Sequence, residues 1–251
     1  MFRKLLAAVG VVSVLAPAAQ AQITPRPEVL TGAFEAGFVG EAEDERYPVR
    51  AIRIGQMNLS SGRLVLADPF LASARDEPLQ LALPPGVYPV DVAVADAGES
   101  GQRVALARLL IADRPPVRWA LAVTAGQDAS TLRGDEIFSY GVDAGTGAFI
   151  DAAALEWLAR EYPPARNDAH AALLDDWQTR GEAAAGPLGI PYGFALVEQV
   201  GPGGIAMFSS GWGDGAYASW VGYDAEDRPV VIVTDFAVIT AVNFPPGSDS
   251  R

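Results

Sequence analysis

Short runs rich in β-branched and aliphatic residues, each closed by proline, glycine or serine, make up most of this chain. Ala51 to Asn58 reaches the turn Ser60-Ser61-Gly62, and Arg63 to Ala67 stops at Asp68-Pro69. Pro84-Pro85-Gly86 opens Val87 to Ala95, in which Val90, Val92 and Val94 share one face opposite Asp91 and the alanines. Arg103 to Ile111 and Val117 to Thr124 lie on either side of Pro115-Pro116. A period of two with turn chemistry between runs predicts a β meander.

The period then changes. Leu155, Leu158 and Tyr162 recur at helical spacing behind Asp151, a residue suited to cap a helix, until Pro163-Pro164 ends the run. A second helix is predicted from Asn167 or Asp168, burying Leu173, Leu174 and Trp177 and stopping near Gly181. After Gly186-Pro187 the strand pattern returns as Gly193 to Val200, Gly204 to Ser210, Ala216 to Tyr223 and Val230 to Ile239. The links between strands are too short for repeated helical crossovers, so the sheet should be mostly antiparallel. The predicted fold is a single α+β domain over 46–245, with a helical pair inserted between two meanders. Residues 22–45 read as a flexible leader, since Pro25 and Pro27 and the charged run Glu41 to Arg46 interrupt regular pairing, and 246–251 read as a disordered tail.

The start of the chain bears on where it works. Arg3 and Lys4 precede the apolar run Leu5 to Leu15, and Ala19-Gln20-Ala21 has the small-x-small form of a signal peptidase site. Residues 1–21 are therefore expected to be a removed signal peptide, with the protein periplasmic or extracellular. The apolar run is shorter than the roughly 20 residues that a bilayer demands, so the mature chain is expected to have no membrane association. With no cysteine, an exported domain must rely on its core, and half the residues are hydrophobic. There are 31 acidic and 18 basic residues, and loss of Arg3 and Lys4 makes the balance more acidic. Such a surface repels nucleic acid and anionic headgroups and favours cationic partners or metal ions.

Candidate chemistry concentrates in two glycine-rich stretches, Gly141-Val142-Asp143-Ala144-Gly145-Thr146-Gly147 and Ser210-Gly211-Trp212-Gly213-Asp214-Gly215-Ala216-Tyr217. Glycines around one carboxylate, bracketed by two aromatics, fit close approach by a ligand or another backbone. These blocks, together with Ser61-Gly62, Ala67-Asp68-Pro69, Pro85-Gly86-Val87-Tyr88-Pro89-Val90, Phe149, Asp151 and Thr234-Asp235-Phe236, resemble in consistent order the bacterial family called domain of unknown function 4241. The resemblance implies a common fold and points to a shared site. It carries no established activity, substrate or catalytic residue.

Several chemistries can be weighed on the residues alone. Asp143 to Gly147 is similar to a phosphate loop of the actin and sugar-kinase superfamily, but its mid-chain place in an exported, lysine-free mature chain argues against an ATPase. An aspartic-protease dyad needs a second Asp-Thr-Gly or Asp-Ser-Gly turn, which the chain lacks. One histidine and no cysteine exclude zinc, copper and haem centres. Calcium needs oxygen ligands, for which Asp143, Asp151 and Asp214, with Thr146, are the candidates. The competing reading makes Asp143 and Asp151 a turn and a helix cap. A serine hydrolase would need Ser209 or Ser210 with His170, which the pattern places on a helix face. Asp214-Gly215 also fits a plain hairpin turn. Asp235 interrupts a strand that reads as buried, and its donors are expected among the glycine amides of the Ser210 to Gly215 loop, an indole, or Arg118.

Two function classes result. The first is a non-enzymatic module that binds a protein or small ligand through Asp143, Trp212, Asp214, Tyr217 and Asp235, with no cofactor required. The second is a hydrolase using Asp143 and Asp214 as acid and base, or as ligands for calcium or magnesium.

Overall fold

The computed structural model describes residues 24–42, 45–163, 167–190 and 193–242. The elements, in chain order, are helix α1 (Pro27–Gly32), strands β1 (Val39–Ala42), β2 (Glu45–Leu59), β3 (Leu64–Ala67), β4 (Gly86–Asp96), β5 (Gln102–Leu110), β6 (Arg118–Leu121), β7 (Tyr140–Val142) and β8 (Thr146–Asp151), helices α2 (Ala152–Glu161) and α3 (Asn167–Ala185), and strands β9 (Ala195–Val200), β10 (Gly203–Ser209), β11 (Gly215–Tyr223), β12 (Pro229–Asp235) and β13 (Ala241–Val242). The fold is α+β and its described strand pairings are antiparallel, as the short links require.

The strands form two sheets. The larger runs β13-β1-β2-β4-β5-β12-β11-β6, and β7 shares the edge of β11 that β6 uses further along. The smaller runs β3-β8-β10-β9. The small sheet is buried on both faces, and β10 shows how one strand serves two cores. Ala206 and Phe208 point into the cluster shared with the large sheet, whereas Ile205 and Met207 join the cluster beneath the helices. Successive side chains alternate sides, so a nearly continuous apolar run is what a strand in a middle layer needs. On the outer face, Leu155 of α2 and Trp177 of α3 complete the second cluster.

Asp151 caps α2 by accepting from the Ala153 amide at 2.9 Å, as its position predicts. α3 continues past Gly181 to Ala185. The predicted strand Val230 to Ile239 ends at Asp235, because Ala237 turns the chain with a φ of 56°. β7 and β8, read as one glycine-rich segment, are strands in different sheets.

The flexible-leader expectation is corrected where the chain is described. Pro27 starts α1, where a fixed φ and a missing N–H cost nothing, and Val29, Leu30 and Ala33 are buried. β1 pairs with β2 on one side and β13 on the other. The segment covers a sheet edge that would otherwise present unpaired backbone groups. The expected signal peptide and tail lie outside the described residues. Among those described, no helix is long and apolar enough to cross a membrane.

Candidate functional site

Three short crossings between the two sheets account for the acid-rich and glycine-rich blocks. The chain leaves β2 for β3 through 60–63, leaves β7 for β8 through 143–145, and returns from β10 to β11 through 210–214. A strand that changes sheets loses its ladder partners for a few residues, so its backbone amides need other acceptors. Carboxylates supply them at the first two.

Asp151 holds the first crossing. It is fully buried and accepts from the Ser60 amide (2.5 Å), the Ser60 hydroxyl (2.8 Å), the Ser61 amide (3.1 Å) and the Ser61 hydroxyl, in addition to its helix-capping bond. Asp68 holds the second. Its buried carboxylate accepts from the amides of Asp143 (2.9 Å) and Ala144 (2.7 Å) and from that of Phe70 (2.9 Å).

The second and third crossings lie side by side. Asp214 Oδ1 accepts from the Gly145 amide at 3.0 Å, and the Ser210 amide donates to the Gly145 carbonyl at 3.1 Å. The Ser210 and Tyr217 hydroxyls both donate to the Gly213 carbonyl, at 2.8 and 2.7 Å. Gly211 has a φ of 55°, and a Cβ there would fall 2.9 Å from side-chain atoms of Phe236 and Val238. That position therefore requires glycine twice over, for its conformation and for its space. Tyr217 packs edge-on against Phe236 with centroids 5.0 Å apart, and Ser219 and Thr234 share a buried hydroxyl pair at 2.7 Å below.

The blocks that drew attention in the sequence thus converge, with different fates for their residues. Asp143 and Asp214 are exposed, and Trp212 is 52% exposed with the Arg103 guanidinium 5.1 Å from its ring centroid. Tyr217 is buried and its hydroxyl is engaged with the loop carbonyl. Asp214-Gly215 is not the turn of a hairpin, since the strands before and after it belong to different sheets.

Two expectations change. Asp235 is served by neither the glycine loop nor Arg118, which pairs with Asp227. Its partners are Arg26, at 2.5 Å, and the Ala237 amide, at 2.9 Å, so it ties the start of α1 to the end of β12. Asp151 is not placed to share a metal ion with Asp143 and Asp214. It stands at the far end of β8 from Thr146, five residues or roughly 16 Å along an extended strand, with its oxygens already occupied by protein donors. Among the described residues no group of three or more His, Asp or Glu side chains is arranged to hold a metal.

The serine triad is likewise not assembled. Ser209 Oγ accepts from the Phe194 amide at 2.7 Å, Ser210 is buried, and His170 sits on α3 with Nδ1 2.9 Å from the Tyr162 carbonyl. Asp143 borders an open cavity of about 460 Å³ with Asp68, Asp76 and Glu77, and Asp214 is not part of that lining.

Sequence reasoning missed Asp68 as the residue that fixes the site, although an aspartate ending a strand and followed by proline is a recurrent acceptor for amides further on. Arg103 and Arg26 had no local signal. Tyr140 is a further unpredicted feature. Among the described residues its buried hydroxyl has no hydrogen-bond partner of good geometry, and burial pushes its pKa far above the usual tyrosine value.

The family model described as Protein of unknown function (DUF4241) matches residues 57–234. The chain belongs to that family. Comparisons with curated proteins and with solved structures find no match. The DUF4241 span takes in all three crossings and the helical pair. It stops one residue short of Asp235 and leaves out α1 and β1, which fits the division between the pinned crossings and the edge cover added by the leader.

Proposed function

We propose that this DUF4241 protein is an exported, non-enzymatic recognition module that engages a cationic partner through the paired loops 143–145 and 210–214. One observation carries the reading: Trp212 stays half-exposed on a loop whose neighbours are pinned in place. An indole carried on a hydrogen-bonded loop offers a large contact area with little backbone ordering left to do, which suits an aromatic anchor on a binding surface. Asp143 and Asp214, both exposed on the same pair of loops, supply negative charge, and the chain as a whole is at −13. Export is supported by Arg3-Lys4, the apolar run Leu5 to Leu15 and Ala19-Gln20-Ala21. The hydrolase reading draws support only from the meeting of the two loops.

Calorimetric titration with tri-arginine and tri-glutamine at physiological salt tests the proposal. Tri-arginine is expected to bind and tri-glutamine not. Trp212→Ala and the double change Asp143→Asn with Asp214→Asn are each expected to weaken binding tenfold or more. Equal affinity in Trp212→Ala, or no binding of tri-arginine to the unaltered protein, refutes it.

A further inference from the structure

The outer, helical layer of the molecule is under-filled. α2 and α3 contact the small sheet more than they contact each other, and a cavity of about 310 Å³ remains between them. Its walls are Ile150 and Ile205 of the sheet, Leu155 and Leu158 of α2, and Leu174 and Trp177 of α3. The fourth side is the segment after β3, which brings Ser73 and Arg75 to the lining, and His170 and Tyr162 complete it. A space of this size, apolar within and polar at a few points, has the form of a small-molecule site.

The polar groups indicate the kind of molecule. Arg75 is exposed, and among the described residues its guanidinium makes no ion pair or hydrogen bond. The carbonyl of Tyr162 can only accept, so His170 Nδ1 carries the proton of that 2.9 Å bond, and Nε2 has no partner among the described residues. The wall bearing Arg75 is fixed before any ligand arrives. Asp68 accepts from the Phe70 amide, Asp76 accepts from the Ser73 amide at 2.7 Å, and Phe70 packs edge-on against Phe194. A cationic fork standing over a preformed apolar hole complements an anion with a hydrocarbon body.

We propose that this cavity binds a small amphipathic carboxylate, its apolar part against Leu155, Leu174 and Trp177 and its head group on Arg75. The lining of the site includes no residue of the paired loops, and the proposal does not rest on their function.

Isothermal titration of the full chain with decanoate, decanol and decylamine tests this. Decanoate is expected to bind at least tenfold more tightly than decanol, with decylamine weakest. Arg75→Glu, a change on an exposed segment that leaves the core intact, is expected to reduce decanoate affinity tenfold or more. Ala159→Trp, which fills the cavity, is expected to abolish binding, with an unchanged melting profile showing that the variant is folded. Trp212→Ala is expected to bind decanoate as the unaltered protein does, which separates this site from the recognition loops. Decanoate binding that is absent, unaffected by Arg75→Glu, or weaker than that of decylamine overturns the proposal.

Discussion

The crossing at 60–63 and the paired crossings at 143–145 and 210–214 solve the same problem in opposite ways. In each, a strand moves between sheets and frees its amides; aspartates accept them at the first two, while at the third they turn to the carbonyls of Gly145 and Ser210. At the first, Asp151 is buried and surrounded by serine donors, and the exposed Arg63 is already paired with Glu156. At the second and third, the holding is divided between a buried Asp68 and an exposed Asp214, and Trp212 is left outside. An acid in a glycine-rich or serine-rich turn therefore has no fixed role. Burial and donor count decide whether it is a fastening or a surface.

The comparison is open to attack by substitution. The largest effect is expected at Asp151→Ala, which strands the Ser60 and Ser61 donors and removes the cap of α2. Urea denaturation should show a loss on the order of 3–5 kcal/mol. A loss under 1 kcal/mol would mean the first crossing is not held by its acid. At the second crossing, Asp68→Ala should cost about 2–3 kcal/mol and speed hydrogen exchange at the Asp143 and Ala144 amides, whereas Asp214→Ala should stay within about 0.5 kcal/mol. Similar costs for Asp68→Ala and Asp214→Ala would erase the distinction between fastening and surface.

A change of opposite sign at neutral pH is expected at Tyr140→Phe, which removes a hydroxyl without a partner among the described residues. It should be neutral, or stabilising by up to about 1 kcal/mol. Its sign reverses the expectation for any buried group that is bonded. Because burial raises the folded pKa of Tyr140, the unfolded chain loses its phenolic proton first as pH rises. Stability from this group is therefore complete below about pH 10 and declines above it, and thermal melts of Tyr140→Phe should lack that share of the alkaline loss. Tyr217, raised by burial and then by the charge of Asp214, contributes in the same direction and should persist in the variant.

Much of the framework was legible locally. The helical spacing of Leu155, Leu158 and Tyr162, the Asp151 cap and the Pro163 stop placed α2 nearly to the residue. Legibility failed where a residue's meaning depended on distant partners. Pro27 looked like an interruption and is a helix start, because Val29 and Leu30 find a core made by strands far along the chain. Asp235 looked like a group in need of donors from the glycine loop, and its donor is Arg26, more than two hundred residues earlier.

The sequence by itself determined the strand and helix periods, the antiparallel habit imposed by short links, the family, and the clustering of glycine with aspartate at a few turns. These follow from properties of a residue and its near neighbours: backbone freedom, side-chain period and turn chemistry. Only the tertiary structure decided that those turns are passages between two sheets, that Asp68 and Asp151 are inside while Trp212 is outside, and that the helices leave a cavity beside Arg75. Those outcomes depend on which surfaces exclude water from which others, a property of the packed layers that no short stretch of chain contains.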